Sequence, residues 1–226
     1  MQELLETLFP NVMASPDKFI KSVQETLIMT GWAGAFMFVI GLALGVLLVV
    51  TRPDGIAQNR VLYQVLDKVI NMLRSIPFVI LIALLMNVTK WIMGTRIGLK
   101  GAIVPLVVGS VPFFSRQVEA ALADVSPGLV EAAKSMGSST LGVIFRVYLK
   151  EGAAAIARAT TITLISLIGL TAMAGYIGAG GLGDYSIVYG YNYNRIDIVW
   201  AAVIAIVLIV SVIQMIGMII AKKNTH

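Results

Sequence analysis

The sequence predicts an all-α membrane protein with five transmembrane helices and a cytoplasmic helical hairpin between the third and the fourth. Composition is the first reason: of 226 residues, 58% are hydrophobic and 13% are charged, whereas soluble domains carry roughly 25% charged residues. The mean hydropathy of +0.89 agrees with this. The other two reasons are several long uncharged stretches and one extended polar interval, between Arg116 and Arg158, whose pattern predicts short helices.

The uncharged stretches set the predicted spans. A spanning helix needs about 20 apolar residues, since each adds about 1.5 Å across a core of about 30 Å. The predicted spans cover residues 26–51, 66–89, 99–121, 153–177 and 198–221. In the second and third, Arg74 and Arg116 lie near an edge, where a long basic side chain can reach the headgroups.

Basic residues predict the orientation, because they are enriched in cytoplasmic loops. With the N-terminus outside, eleven lie in inner segments: Arg52, Arg60, Lys68, Arg74, Arg116, Lys134, Arg146, Lys150, Arg158, Lys222 and Lys223. Six lie in outer segments: Lys18, Lys21, Lys90, Arg96, Lys100 and Arg195. We therefore expect an extracytoplasmic N-terminus and a cytoplasmic C-terminus. Since the basic residues are dispersed, we expect contact with the lipid bilayer and not with nucleic acid.

The two ends of the chain are predicted to lie outside the spans. Residues 1–22 are expected to form an interfacial segment, with a helix that ends at Pro10 and groups Leu4, Leu5, Leu8 and Phe9 on one face. Residues 219–226 are expected to form a cytoplasmic tail. The membrane domain is predicted to cover the residues between them, 23–218.

The residue inventory excludes several kinds of chemistry. The chain has no cysteine, and its single histidine is the terminal His226. Disulfides, thiolate metal sites and a Ser-His-Asp triad therefore have no residues to form them. The glycine-rich stretch 175–183 is not a phosphate-binding loop, because Gly-Lys-Ser and Gly-Lys-Thr do not occur in the chain. We expect no catalytic residue, no metal site and no cofactor on this chain.

The polar interval contains the most informative motif, within residues 126–149. Ser126 can cap a helix, Pro127 suits its first turn, and Gly137 suits the left-handed residue after its end. Its apolar stripe is Leu129, Val130, Ala133 and Met136, and the pair Glu131 and Lys134 flanks it at i, i+3 spacing. Ser138 or Ser139 can cap a second helix that returns to the membrane. Two interpretations follow: a hairpin that lies on the lipid headgroups, or a helix that fits into a groove of a partner. The small side chains of Ala132 and Ala133 favour the second interpretation.

Residues Glu131-Ala132-Ala133, three more residues and Gly137 resemble the EAA motif of ABC-importer permeases. Further stretches resemble the permeases of methionine uptake importers: Thr51-Arg52-Pro53, Arg74 to Phe78, Ala102 to Leu106 and Gly175 to Gly183. The chain departs from the family at Lys150, where proline is usual. The resemblance implies a coupling helix, formed around Leu129, Glu131, Ala132, Ala133, Met136 and Gly137, that docks on a separate ATPase. It also implies that the membrane helices form a translocation path that works by alternating access.

The resemblance also implies the partners and the cell membrane of a bacterium as location. A homodimer would bind two ABC nucleotide-binding subunits, which carry ATP and Mg²⁺, and an extracytoplasmic methionine-binding protein. Met173 of two facing copies is the predicted outer gate, and the path is expected to include Thr163 and Ser166 and the proline kink at Pro77. For the hydroxyl residues and Pro77, internal back-bonding and simple packing are the alternative interpretations.

Three alternatives to a methionine importer remain at this stage. The same spans could form a passive channel or facilitator, a permease for another small amino acid, or a membrane scaffold without transport. No acidic residue occupies the middle of a predicted span, which argues against a proton- or sodium-coupled carrier.

Overall fold

A computed structural model describes residues 6–224, and within this range the chain is helical and has no β-strand. The longer helices are α1 (Pro16–Thr51), α2 (Arg60–Ser75), α3 (Phe78–Met93), α4 (Gly98–Ala123), α5 (Pro127–Ser135), α6 (Ala153–Ala174) and α7 (Ile196–Lys223). Shorter segments lie at Pro10–Met13, Thr140–Val143, Ile144–Tyr148, Leu149–Glu151, Gly175–Ala179, Gly181–Asp184, Tyr185–Gly190 and Tyr191–Tyr193. The predicted all-α class is confirmed.

Among residues 6–224, four helices are long and apolar enough to cross a bilayer: α1, α4, α6 with its continuation to Ala179, and α7. The bent pair of α2 and α3 gives a fifth span if it is counted as one. The predicted ranges 26–51, 99–121, 153–177 and 198–221 each fall inside an observed helix. The observed helices extend beyond most of these ranges, because charged residues near helix ends can reach the headgroups without ending the helix.

The expected second span, 66–89, is not one kinked helix. It is broken at Ile76 and Pro77, which both have extended backbone dihedrals (ψ of 122° and 135°). Proline disfavours the helical conformation in the residue before it, so α2 ends at Ser75 and α3 starts at Phe78. The two halves also differ in character: α2 is strongly amphipathic, whereas α3 is apolar throughout.

The described part of the N-terminal segment packs on α7, and its predicted position at the membrane interface stays a prediction. Among the described residues, the helix runs to Leu8, Phe9 interrupts it, and a new turn starts at Pro10. The predicted end at Pro10 is thus close to the observed break, whereas Leu4 and Leu5 lie outside the described residues. At the other end, α7 continues to Lys223 through most of the expected tail, and residues 225–226 are also outside the described range.

The chain divides into two compact units. The first comprises the described part of Met1–Ala35, together with Pro77–Val107 and Leu164–Ile213. Its apolar core joins the N-terminal segment to α7 and to the turn before it, through Val12, Leu182, Tyr185, Ile198, Ala201 and Ala202. The side chain of Asp197 accepts hydrogen bonds from the backbone and the side-chain amide of Asn11, at 2.8 and 3.0 Å. These contacts fix residues 9–13 against α7.

The second unit comprises Phe36–Ile76, Val108–Thr163 and the described part of Gln214–His226. Two glycines of α1, four residues apart, bring its backbone close to α4. A Cβ atom at Gly41 would lie 2.6 Å from Phe114 Cδ1, and one at Gly45 would lie 2.5 Å from Val118 Cβ. Small residues at this spacing allow membrane helices to approach closely. Arg116 of α4 does not depend on snorkelling, because it pairs with Asp67 and Glu119.

Candidate coupling helix and translocation face

Helix α5 forms at the residues that the sequence predicts, and neighbouring residues explain both of its ends. Pro127 occupies the first turn, although Ser126 makes no side-chain cap. The helix ends at Gly137, whose φ of +80° is left-handed. There the Ser138 N–H donates to the Ala133 carbonyl at 3.0 Å and the Gly137 N–H to the Lys134 carbonyl at 2.9 Å. This pair of bonds is the Schellman motif, which a glycine at this position favours.

The predicted apolar stripe of α5 is divided between two faces. Val130 and Ala133 are buried, at 8% and 6% exposure, whereas Leu129 and Met136 are exposed, at 47% and 80%. Glu131 and Ala132 are exposed as well. Ala133 packs within the chain and is therefore not available to a partner. Close approach of a partner at the exposed Ala132 stays a prediction.

The buried face of α5 packs on the second arm of the hairpin, residues 140–148. That arm starts at Ser139, whose side chain accepts a hydrogen bond from the Gly142 N–H at 3.2 Å, so Ser139 provides the cap. Val143 and Tyr148 are its buried residues. The expected ion pair between Glu131 and Lys134 is not formed in the described structure.

Lys150 occupies the position where the resembled family has proline, and the backbone there stays helical. Ile144–Tyr148 is wound as a π-helical turn, in which the Leu149 N–H donates to the Ile144 carbonyl, and Leu149–Glu151 follows without interruption. Gly152 keeps right-handed dihedrals, and α6 starts at the next residue. Since lysine has no ring to break the helix, the hairpin leads into α6 without a flexible link.

The C-terminal half of α6, with its continuation to Ala179, carries an exposed face. Ser166, Gly169, Met173 and Tyr176 follow one another at spacings of three or four residues, and all four are exposed. Residues at this spacing lie on one side of a helix. Met173 is 42% exposed, and a Cβ atom added at Gly169 would meet nothing within 4 Å. The single chain therefore leaves this face without a packing partner.

The other predicted path residues are placed differently. Thr163 is buried at 1% exposure, and its hydroxyl donates to the Ala159 carbonyl at 2.8 Å. The alternative interpretation, internal back-bonding, describes Thr163 in this structure. Pro77 is exposed, and its carbonyl accepts the first hydrogen bond of α3, from the Leu81 N–H at 2.9 Å.

Sequence reasoning missed a clamp that holds the turn after α6. The Glu25 carboxylate accepts a hydrogen bond from the Gly181 N–H, and the Thr26 hydroxyl accepts one from the Leu182 N–H, both at 2.8 Å. Gly180 and Gly181 have φ of +83° and +81°. A Cβ at Gly181 would lie 2.8 Å from the Thr26 hydroxyl. The adjacent glycines were the available signal, since only glycine accepts such dihedrals at close approach.

Asp184 lies beside this clamp, between the fourth and last spans. Partial burial raises the pKa of the Asp184 carboxyl above its usual value, and the nearby negative charge of Glu25 raises it further. Glu25 itself lies 3.8 Å from the ammonium of the exposed Lys21. Two carboxylates, of Glu25 and Asp184, and the ammonium of Lys21 therefore lie around this turn.

The fold and these surfaces define a multi-pass α-helical membrane protein with an exposed short helix between two spans. Comparison with known proteins gives the family. The model of the binding-protein-dependent transport system inner membrane component matches residues 38–224. The chain belongs to this family.

Individual relatives cover almost the whole chain. The probable D-methionine transport system permease protein MetI of Vibrio cholerae is 42% identical over 93% of each chain. The methionine import system permease protein MetP of Bacillus subtilis is 45% identical over 95% of this chain and 96% of its own. A solved inward-facing structure of the MetNI methionine ABC transporter superposes with a TM-score of 0.90, at 43% identity over 92% of this chain and 97% of that one.

Proposed function

We propose that this chain is the permease subunit of an ATP-driven importer of methionine. The observation that carries the proposal is the identity of 42–45% with methionine transport permeases over more than nine-tenths of each chain. The match to a solved methionine ABC transporter supports it. The chain itself makes and breaks no covalent bond in this proposal, and ATP and Mg²⁺ bind to a separate subunit.

Coupling to that subunit is assigned to the exposed side of α5. Leu129, Glu131, Ala132 and Met136 are available to a partner, and Gly137 ends the helix so that Met136 projects at its tip. Only three residues separate the end of α4 at Ala123 from Pro127. On the other side the hairpin enters α6 through helical backbone. A displacement of α5 is therefore transmitted to the two spans that flank it.

The exposed face of α6 is assigned to the translocation path. In a homodimer a two-fold axis can bring this face opposite its copy, and the two coupling helices then match two nucleotide-binding subunits. Met173, whose unbranched thioether side chain adapts its shape readily, forms the outer gate. Ser166 lies on the same face, two helical turns further inward. A contribution of Thr163 requires its hydroxyl to leave the Ala159 carbonyl, and Pro77 contributes by interrupting the helix.

Orientation completes the proposal. The N-terminus lies outside and the C-terminus in the cytoplasm, as the distribution of basic residues favours. The coupling hairpin then faces the cytoplasmic ATPase, and the turn clamped by Glu25 and Thr26 faces an extracytoplasmic binding protein that delivers the amino acid.

The decisive experiment is reconstitution of the chain with its candidate ATPase and binding protein in liposomes. Uptake of labelled methionine should require ATP and all three components, and a panel of other amino acids should compete weakly. Uptake by the chain alone, down a gradient and without ATP, would instead identify a passive facilitator. ATP-dependent uptake with another amino acid preferred would retain the importer and change its substrate.

The gate assignment has its own test, Met173→Ala, in the same liposomes. Truncation of the thioether should open the constriction, so substrate should leak without ATP while ATP hydrolysis continues. Met218→Ala is the matched control, because Met218 is also an exposed methionine, on α7. If Met173→Ala leaves both leak and coupled uptake unchanged, Met173 is not the gate.

A further inference from the structure

Helix α2 carries three distinct stripes along its length. The first stripe is directed toward the rest of the second unit and is formed by Tyr63, Asp67 and Ile70. Ile70 is 3% exposed. The Tyr63 hydroxyl lies 3.5 Å from Glu119 Oε1, and Asp67 pairs with Arg116. A second stripe is polar and exposed, formed by Arg60, Gln64, Lys68, Asn71 and Ser75. The third is apolar and also exposed, formed by Val61, Val65, Val69 and Met72, which are between 46% and 73% exposed.

The charges of α2 are also unevenly placed. Asp67 is the only acidic residue of α2, and its carboxylate forms an ion pair with Arg116 of α4. Arg60, Lys68 and Arg74 are exposed and form no ion pair within the described part of the chain. The charged residues of α2 that form no ion pair in the described structure are therefore all cationic. Lys68 lies one helical turn from Met72 and so borders the exposed apolar stripe.

The position of α2 is fixed at its start. The Asn59 side chain caps it by accepting a hydrogen bond from the Leu62 N–H at 3.0 Å. The Asn59 N–H donates to the Thr51 carbonyl, also at 3.0 Å, which ties the connecting turn to the end of α1. At its other end the extended residues Ile76 and Pro77 separate α2 from the apolar helix α3. The 16 residues of α2 measure only about 24 Å at about 1.5 Å each, less than the hydrocarbon thickness of about 30 Å.

We propose that α2 is an interfacial helix that binds the anionic phospholipid surface of the leaflet beside the coupling hairpin. Its apolar stripe lies at the boundary between acyl chains and headgroups, and Arg60, Lys68 and Arg74 bind lipid phosphates. A strongly amphipathic helix with cations on its polar face has this preference. The anchor holds the end of α4 at the membrane surface through the Asp67–Arg116 pair, and α4 leads directly into the coupling hairpin.

The natural absence of cysteine makes the test direct. Single cysteines are introduced at Val61, Val65, Val69 and Met72, with Gln64→Cys as the matched control on the polar stripe. Each is labelled with a nitroxide in the full-length chain assembled with its ATPase, in vesicles of phosphatidylcholine with or without phosphatidylglycerol. Collision rates with oxygen and with a water-soluble nickel chelate then report the depth of each label.

The proposal expects the ratio of the oxygen collision rate to the nickel-chelate collision rate to be severalfold higher at the four apolar positions than at Gln64. It also expects the four labels to share one depth. A spanning helix would instead give a graded depth, by about 16 Å from Val61 to Met72 at about 1.5 Å per residue, and this would overturn the proposal. So would exclusion of both reagents together with spin–spin broadening, which would show that a second copy covers the face.

The anionic component is tested by replacing the three cations, in Arg60→Gln, Lys68→Gln and Arg74→Gln combined. Phosphatidylglycerol should draw the labels deeper in the parent chain, and this dependence should disappear in the triple variant. An unchanged dependence on lipid charge, or none in the parent, would overturn the assignment to anionic lipid. The uptake assay reports separately on the transport function, because the depth of the labels does not depend on the substrate.

Discussion

Two neighbouring alanines of α5 have opposite surroundings. Ala132 is exposed, whereas Ala133 is 6% exposed against the chain's own hairpin. Replacing each with leucine adds the same atoms in different places. Ala133→Leu should lower the free energy of unfolding by about 1–3 kcal/mol, the usual effect of overpacking, and Ala132→Leu should leave it nearly unchanged.

The same pair separates stability from coupling. In the proposed complex Ala132→Leu should weaken copurification with the ATPase and lower ATP-dependent uptake, because it adds bulk to the docking face. Thermal unfolding of the solubilised chain and pull-down of the ATPase measure the two effects. If Ala132→Leu binds the ATPase as well as the parent chain does, this face of α5 is not the docking surface.

Asp184 gives a prediction about pH. Burial, reinforced by Glu25, raises the pKa of its carboxyl, so the folded state binds the proton more tightly than the unfolded state. The free energy of unfolding should therefore fall as pH rises from about 4, the pKa of an unperturbed aspartate, through the raised pKa. Asp184→Asn removes this loss. The variant should melt at a higher temperature than the parent at pH 7, and the difference should shrink toward pH 4.

Thermal unfolding in detergent at both pH values measures the Asp184 effect. Asp124→Asn is the control, because Asp124 is an exposed aspartate next to the hairpin. If the melting temperatures of Asp184→Asn and the parent differed by the same amount at pH 7 and at pH 4, the raised pKa of Asp184 would not be the cause.

At the scale of the element, the clamp on the turn after α6 is a set of specific hydrogen bonds. The hydroxyl of Thr26 donates to the Ser22 carbonyl at 3.0 Å and accepts from the Leu182 N–H at 2.8 Å. Thr26→Val keeps the shape and leaves the buried N–H of Leu182 without a partner, which costs about 1–3 kcal/mol. We expect a lower melting temperature, with recovery in Thr26→Ser.

Thr30, one turn further along α1, is the matched control for Thr26. It is buried as well, but its hydroxyl has no hydrogen-bond partner in the described structure. Thr30→Val should therefore change the melting temperature little. Equal destabilisation by the two valine variants would show that burial of the threonine, and not the bond to Leu182, explains the effect.

The elements also show what the sequence could predict. Uncharged length located α1, α4, α6 and α7, since the bilayer imposes one length on all of them. It did not separate α2 from α3, because proline is compatible with either a kink or a complete break, and contacts elsewhere decide between them. In α5 the glycine and proline signals are local and predicted the helix, whereas the burial of Ala133 depends on the later arm of the hairpin.

At the scale of the whole molecule, the partners of Arg116 lie far away in the sequence. Asp67 is 49 residues earlier, and no periodic pattern links the two positions. The clamp joins residues 156 apart, Glu25 and Gly181. Such pairings depend on which helices become neighbours, which a single sequence does not encode in any local signal. For the same reason the exposed face of α6 was predicted only through the family resemblance.

That face gives a prediction about the proposed homodimer. A residue that lies close to a two-fold axis faces its own copy across that axis. If the proposed path places Met173 there, a single cysteine at Met173 should be bridged to its copy by a short bis-maleimide. The chain contains no cysteine of its own, and a band of twice the mass on a denaturing gel measures the reaction. Met218→Cys, on α7 and more exposed in the single chain than Met173, at 59% against 42%, should not react in this way. Since a displacement of α5 by the ATPase is proposed to be transmitted to α6, the yield at Met173 should change when ATP is added to the complex. If Met218→Cys forms the dimer band and Met173→Cys does not, the copies meet through α7, and the proposed path along α6 is wrong.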